Sequence, residues 1–283
     1  MFKRGRRKYL ILVGFVLALL IATVLLDSLI LEPYAIFLDT TTLTIPDPRL
    51  PPGESIKLLH LTDLHVSTYG FREMRVIQVV KSLKPDVVVL TGDYISSRDG
   101  LPGLQKFLVS LRSAVGDVPV LYILGNWDYW SGVPREVVKL FKRYKARLLN
   151  DSYVILSIRG VEVAFAGFDS FTGRYSLPNF TILEDIPNKY PIIVLLHEPA
   201  LSKYVVKYRE DVTLILAGHC HGGQVKLFGT ALFLPEGCEG CYEGRCKVGN
   251  VVIYVSRGVG TSLFPIRFSS PPEAVLIYLV GSD

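Results

Sequence analysis

Apolar and β-branched residues gather into short runs along the chain, at residues 56–61, 87–90, 118–124, 161–166, 192–196, 212–217, 251–255 and 274–280. Runs of this length predict buried strands. Between several of them, at residues 72–83, 104–115 and 135–144, apolar positions recur instead at helical spacing. Alternating strands and helices predict an α/β domain. A further strand is expected over residues 35–45, closed by Pro46-Asp47-Pro48-Arg49-Leu50-Pro51-Pro52-Gly53, a segment too rich in Pro to continue a strand.

The polar positions are as ordered as the apolar ones. Successive strands run out into Thr62-Asp63-Leu64-His65, Thr91-Gly92-Asp93, Gly125-Asn126-Trp127-Asp128, His197 and Gly218-His219-Cys220-His221. Sites in open α/β sheets form at the carboxyl ends of strands. The pattern therefore predicts one site built from Asp63, His65, Asp93, Asn126, His197, His219 and His221. Two residues apart on a strand-like segment, Asp63 with His65 and His219 with His221 are expected to point the same way.

Ahead of this domain, residues 9–26 carry no charge. As a helix those residues span about 27 Å, close to the hydrocarbon thickness of a bilayer. The alternatives are a cleaved signal peptide and a buried core helix; the exit Thr23-Val24-Leu25-Leu26 offers no small-x-small cleavage site. We divide the chain into an anchor with a basic flank (1–31), a connector (32–55) and the main domain (56–283).

Charge changes the picture in one respect. Of the 31 basic residues, Lys3, Arg4, Arg6, Arg7 and Lys8 precede the anchor, and the remaining 26 equal the 26 acidic residues. A neutral body gives little grip on a polyanion, so no nucleic-acid partner is expected. A basic flank stays on the cytoplasmic side, which predicts a single-pass protein with its domain outside the cytoplasm.

Carboxylate, imidazole and amide oxygen together suit Mn, Fe or Zn. One carboxylate shared by two ions about 3.5–4 Å apart makes a clamp for a phosphoryl group and activates water.

At these residues the chain resembles the calcineurin-like metallophosphoesterases, over residues 56–280 and in the family's motif order. Asp63-Leu64-His65 matches D-x-H, Gly92-Asp93 matches G-D, and Gly125-Asn126-Trp127-Asp128 matches G-N-H-[DE] with one change. His197 is the isolated His, and Gly218-His219-Cys220-His221 is G-H-x-H. His221-Gly222-Gly223-Gln224 and Ser256-Arg257-Gly258-Val259-Gly260-Thr261-Ser262 resemble the exported, membrane-linked branch.

The resemblance implies two mixed β-sheets packed as a sandwich flanked by helices. It implies that Asp63, His65, Asp93 and His221 hold one divalent ion and Asp93, Asn126, His197 and His219 a second, with Asp93 as bridge. A hydroxide between the ions would attack a phosphomonoester or phosphodiester in line. From the anchor, lipid- or envelope-linked esters are expected substrates.

One departure matters. Trp127 stands where the family has a His near the leaving group, and an indole N–H donates a hydrogen bond but no proton near neutral pH. Asp128 would serve as the acid if its pKa were raised, or else orients neighbouring backbone. Poor turnover leads to the alternative reading, a metal- or phosphate-binding scaffold. Arg257 and Arg267 have the fork that suits a phosphate, or else form ordinary salt bridges. His60 reads as a strand residue and Asp169 as a turn residue. Among Cys238, Cys241 and Cys246 one disulfide with an odd thiol is expected, and Cys220 is expected free and buried.

Overall fold

The computed structural model describes residues 2–35 and 38–282. Helix α1 (Phe2–Leu26) runs on through a π-helical turn, Asp27–Leu31. Strand β1 (Asp39–Asp47) is followed by β2 (Ser55–Leu61), α2 (Phe71–Leu83), β3 (Val87–Leu90), α3 (Leu101–Val115) and β4 (Val120–Tyr122). Then come α4 (Asn126–Trp130), α5 (Pro134–Arg143), β5 (Ala146–Leu148), β6 (Ser152–Ile158), β7 (Val161–Gly167) and α6 (Phe171–Arg174). The chain continues through β8 (Ile192–Leu195), α7 (Ser202–Tyr208), β9 (Leu214–Ala217), the hairpin β10 (Lys226–Leu227) and β11 (Thr230–Ala231), β12 (Gly244–Val248), β13 (Val251–Val255) and β14 (Glu273–Gly281).

Among the described residues these strands form two six-stranded sheets, ordered β1-β14-β2-β3-β4-β5 and β12-β13-β9-β8-β7-β6. Both are mixed: β2, β3, β4 and β5 run parallel, as do β7, β8, β9 and β13; β14 pairs antiparallel with β2 and parallel with β1, and the outer strands β6 and β12 pair antiparallel.

The period-two alternation of strand side chains explains the layering. Ile56, Leu58, Val87, Val89, Leu121 and Ile123 point into the space between the sheets and meet Val163, Phe165, Ile193, Leu195, Leu214 and Leu216. From the same strands Leu59, Leu61, Val88, Leu90 and Tyr122 point outward and are covered by Val76, Val80, Leu104, Phe107, Val137 and Phe141 of α2, α3 and α5. Buried on both faces, the inner strands read as continuous apolar runs rather than alternating ones. The result is the α/β sandwich flanked by helices that the motif resemblance implied.

Three differences from the sequence reading have physical causes. The early strand begins at Asp39 rather than Ala35 and extends through Pro46 to Asp47; residues 36–37 lie outside the described residues. Pro is tolerated there because β1 is an edge strand with one unpaired side. The connector is therefore no spacer, since β1 pairs with β14 along its whole length. Strands β6 and β12 escaped the sequence reading because outer strands carry fewer buried positions, in patterns such as Gly244-Arg245-Cys246-Lys247-Val248.

The side chains of residues 8–26 face outward from the domain. That excludes a buried core helix, and the segment Lys8–Leu31 is long and apolar enough to cross a membrane.

Candidate metal centre

The strand exits stay together past the strands. Asp63 N–H donates to Gly92 O, His65 N–H to Asp93 O and Gly218 N–H to His197 O, at 3.0, 3.0 and 3.1 Å. Close backbone approach needs glycine here: with φ +100°, Gly92 would place a Cβ 2.5 Å from Gly125 N and 2.8 Å from His197 Nδ1.

Local geometry corrects one expectation. Asp63, His65, Asp93, His219 and His221 have φ of 52°, 43°, 57°, 72° and 51°, so these segments are not strand-like. A non-glycine residue in that region is strained by on the order of 1–3 kcal/mol, and such strain collects at functional sites. His219 and His221 enter different clusters, as the resemblance implied, while Asp63 and His65 share one.

Those clusters are Asp63, His65 and His221, and Asp93, His197 and His219; in each, one ligand atom per residue lies within 4.8 Å of the others. Asp93 Oδ2 stands between them, 3.5 Å from His65 Nε2 and 3.3 Å from His197 Nε2. His65 Nε2 lies 3.2 Å from His221 Nε2, which is 3.6 Å from Asp63 Oδ1. Asn126 Oδ1 completes the second group, 2.9 Å from His197 Nε2 and 3.0 Å from His219 Nδ1. All seven side chains predicted as ligands thus line one buried locus.

Each ring is held from behind. Ser96 Oγ lies 2.7 Å from His65 Nδ1, and the carbonyls of Thr91 and Glu236 accept from His197 Nδ1 and His219 Nε2 at 2.7 and 2.8 Å. Arg267, fully buried, lies 3.1 Å from His221 Nδ1 and donates to the carbonyls of Gly260 and Ser270. The opposite ring nitrogens are left facing the carboxylates, as metal ligation requires.

The buried charges of these groups oppose one another. Burial pushes Asp63 up to about 7, with Asp93 adding to the rise against the opposing pull of His197. Burial also drives His65 down to about 4 and His221 well below the usual imidazole range, so both rings are neutral near pH 7. Asp93 resists its burial because His197 and the other rings hold it below the ordinary carboxylate range, and His197 is held well above its own, against burial, chiefly by Asp93. Imidazoles, carboxylates and an amide oxygen converging on one locus are the donor set of a divalent cation, and the residues present fit one.

Other expected residues sit elsewhere. Asp128 Oδ2 accepts from the N–H groups of Asp93 and Gly125, and Oδ1 from that of Tyr94, each at 2.9 Å. That carboxylate, raised to about 7 by burial and then by Asp93, braces the loop behind the site. Arg257 bridges Asp39 at 2.8 Å and Glu273 at 3.5 Å, tying β1 to β14. Asp169 accepts from Tyr129 and Arg174. His60 is buried, with Nε2 2.7 Å from Thr91 Oγ1. Trp127 alone of these lines the pocket beside His65, ring centroids 5.9 Å apart, and its backbone N–H donates to Asp93 Oδ1 at 2.8 Å.

The cysteine expectation is corrected: Cys220 pairs with Cys238 and Cys241 with Cys246. Cys220 points away from the ligands, as its place between two ligand histidines demands, and there it meets the insertion. Ser96, Arg267 and the Glu236 carbonyl went unrecognised as supports, because nothing local in the sequence brings them near the rings they hold.

Residues 56–223 match the model of the family described as calcineurin-like phosphoesterase. An uncharacterized metallophosphoesterase of Aquifex aeolicus is 31% identical, over 89% of this chain and 94% of its own. A bovine transmembrane protein with metallophosphoesterase domain is 29% identical over 84% of this chain, which spans 56% of that protein. In three dimensions a dimetal phosphatase from Danio rerio superposes with a TM-score of 0.50 and 11% identity, covering 72% of this chain and 88% of that one.

Proposed function

The chain belongs to the calcineurin-like phosphoesterase family, and from that premise we propose that it is a membrane-anchored hydrolase of phosphomonoesters or phosphodiesters working with two divalent ions. The observation that carries this reading is Asp93, a member of one three-residue cluster whose Oδ2 also faces His65 of the other. Asp63, His65 and His221 would hold one ion, and Asn126, His197 and His219 the other, with Asp93 shared. Such a pair, when bound, supplies water deprotonated near neutral pH and a positive clamp for phosphoryl oxygens. The chain's own residues do the rest. Ser96, Thr91, Glu236 and Arg267 hold the four rings in place, and Asp128 fixes the loop that presents Asp93 and Asn126.

Trp127 sets the substrate preference. Its indole donates a hydrogen bond but no proton, so esters with good leaving groups are favoured. With Asp128 bonded to three backbone N–H groups, the same observation supports the second reading, a scaffold that binds metal and phosphate with little turnover. The basic flank at residues 3–8 orients the domain outside the cytoplasm.

Metal analysis together with Mn²⁺-dependent hydrolysis of an aryl phosphodiester tests the proposal. The wild type should hold metal and turn over, while Asp93→Asn loses metal and about 10²-fold or more in rate, the scale of removing one electrostatic group from a transition state. Equal metal content and equal rates in the two proteins would overturn it. Metal retained by the wild type without turnover would give the site to the scaffold reading.

A further inference from the structure

Next to the metal ligands an open pocket of about 470 Å³ has His65 and Trp127 among its lining residues, together with Tyr34, Phe71, Leu263 and Phe264. Those last four are 56%, 55%, 70% and 67% exposed. Folded domains seldom show water several large apolar groups side by side, and a patch of this kind marks a surface for an apolar partner.

The chain identifies that partner through the anchor. Only Glu32 and Pro33 separate Leu31, the end of the membrane-crossing segment, from Tyr34 on the pocket wall. Three residue steps reach at most about 11 Å even when extended. The rest of the rim is bonded to the same place: Arg267 N–H donates to Ser28 O at 3.0 Å, and Ser270 N–H to Glu32 Oε2 at 3.1 Å. To that loop Gln224 Nε2 donates at Ser262 O, 3.0 Å, and Lys226 N–H at Phe268 O, 2.9 Å. These bonds fasten to the rim the hairpin β10–β11, which carries Phe228 fully exposed between its strands. A bilayer crossed by that segment would lie against this face of the domain.

We propose that Tyr34, Phe71, Phe228, Leu263 and Phe264 form a membrane-docking rim. It rests in the interfacial layer of the bilayer that the protein's own anchor crosses and holds the metal pocket open at headgroup depth. Aromatic and aliphatic side chains are stable in that layer, where ring faces meet acyl chains and polar edges meet headgroups. The occupant is lipid because the anchor fixes the distance to it covalently. The proposal rests on the anchor and not on hydrolysis.

Depth-dependent quenching tests it with the full chain reconstituted in vesicles of phosphatidylcholine with brominated acyl chains. Tryptophan is introduced by Phe264→Trp at the rim, or by Asp117→Trp in the loop before β4, at the opposite end of that strand from Asn126. Each emission is read against the wild-type background of Trp127 and Trp130 and against unbrominated vesicles. The rim tryptophan should lose emission in brominated vesicles and shift to the blue, and the control should do neither. Equal behaviour of the two variants would overturn the proposal. So would an unquenched rim together with a dimer in detergent that Phe264→Ser dissociates, which would give the surface to a second copy of the chain. Aryl phosphodiester hydrolysis by the same samples reads the metal centre separately, so failure of the rim and failure of the hydrolase reading are distinguishable.

Discussion

At the scale of single residues, the site is a set of strained backbones that deliver side chains inward. Trp127 is the residue that distinguishes this centre, since the rest of its motif keeps the expected chemistry. Restoring an imidazole by Trp127→His should raise kcat/KM for alkyl phosphoesters more than for aryl ones, by about 10²-fold, the lower end of the range of general acid catalysis. Parallel kinetics on a pair of esters differing only in leaving group checks this; an equal change for both would remove proton donation as the explanation. His60 gives a pH prediction. Burial lowers its pKa to about 3, and Nδ1 has no hydrogen-bond partner. Unfolded imidazole takes up its proton near pH 6.5. Between those values the unfolded chain binds more protons, so this contribution to stability is complete above pH 6.5 and is lost as pH falls toward 3. In urea titrations at pH 7 and 4.5, His60→Leu should lose less of its midpoint on acidification than the wild type.

At the scale of elements, the β9 exit and the cysteine-rich insertion work as one unit. The Cys220–Cys238 bond ties the insertion beneath the G-H-x-H turn, and Glu236, two residues from Cys238, offers the carbonyl that holds His219. Cys238→Ser should therefore weaken metal retention by about 10–100-fold, the usual cost of losing a partner that orients a ligand ring. A chelator competition measures that. The two cysteines lie 18 positions apart, so the same variant should unfold with about 3 kcal/mol less stability by the chain-entropy estimate. Unchanged metal affinity in a destabilised variant would show the disulfide to be purely structural. The sequence placed Cys220 between two ligands but not its partner, because pairing depends on where the insertion folds back.

At the scale of the whole molecule, β1 joins the segment after the N-terminal apolar helix to the far end of the chain. It pairs in parallel with β14, and Thr41 and Asp39 bond to Glu273 and Arg257. A chain beginning at residue 33 should melt cooperatively, and one beginning at residue 56 should not. The second loses Ile45 and Leu50 from the core, about 1.5–3 kcal/mol each where total stability is about 5–15 kcal/mol. Calorimetry of the two decides it. The N-terminal apolar helix, the α/β alternation and the seven converging polar side chains were all legible in the sequence, because each follows from local period or the chemistry of residues at strand ends. Helices α2, α3 and α5 fell within a few residues of expectation for the same reason. The left-handed ligand backbones, the loop bracing by Asp128, the disulfide pairing, the membership of β1 in the first sheet and the bond from Arg267 to Ser28 were decided only by the tertiary structure. Each joins residues far apart in the chain, and the energy that selects it exists only after the two sheets have closed on their shared core.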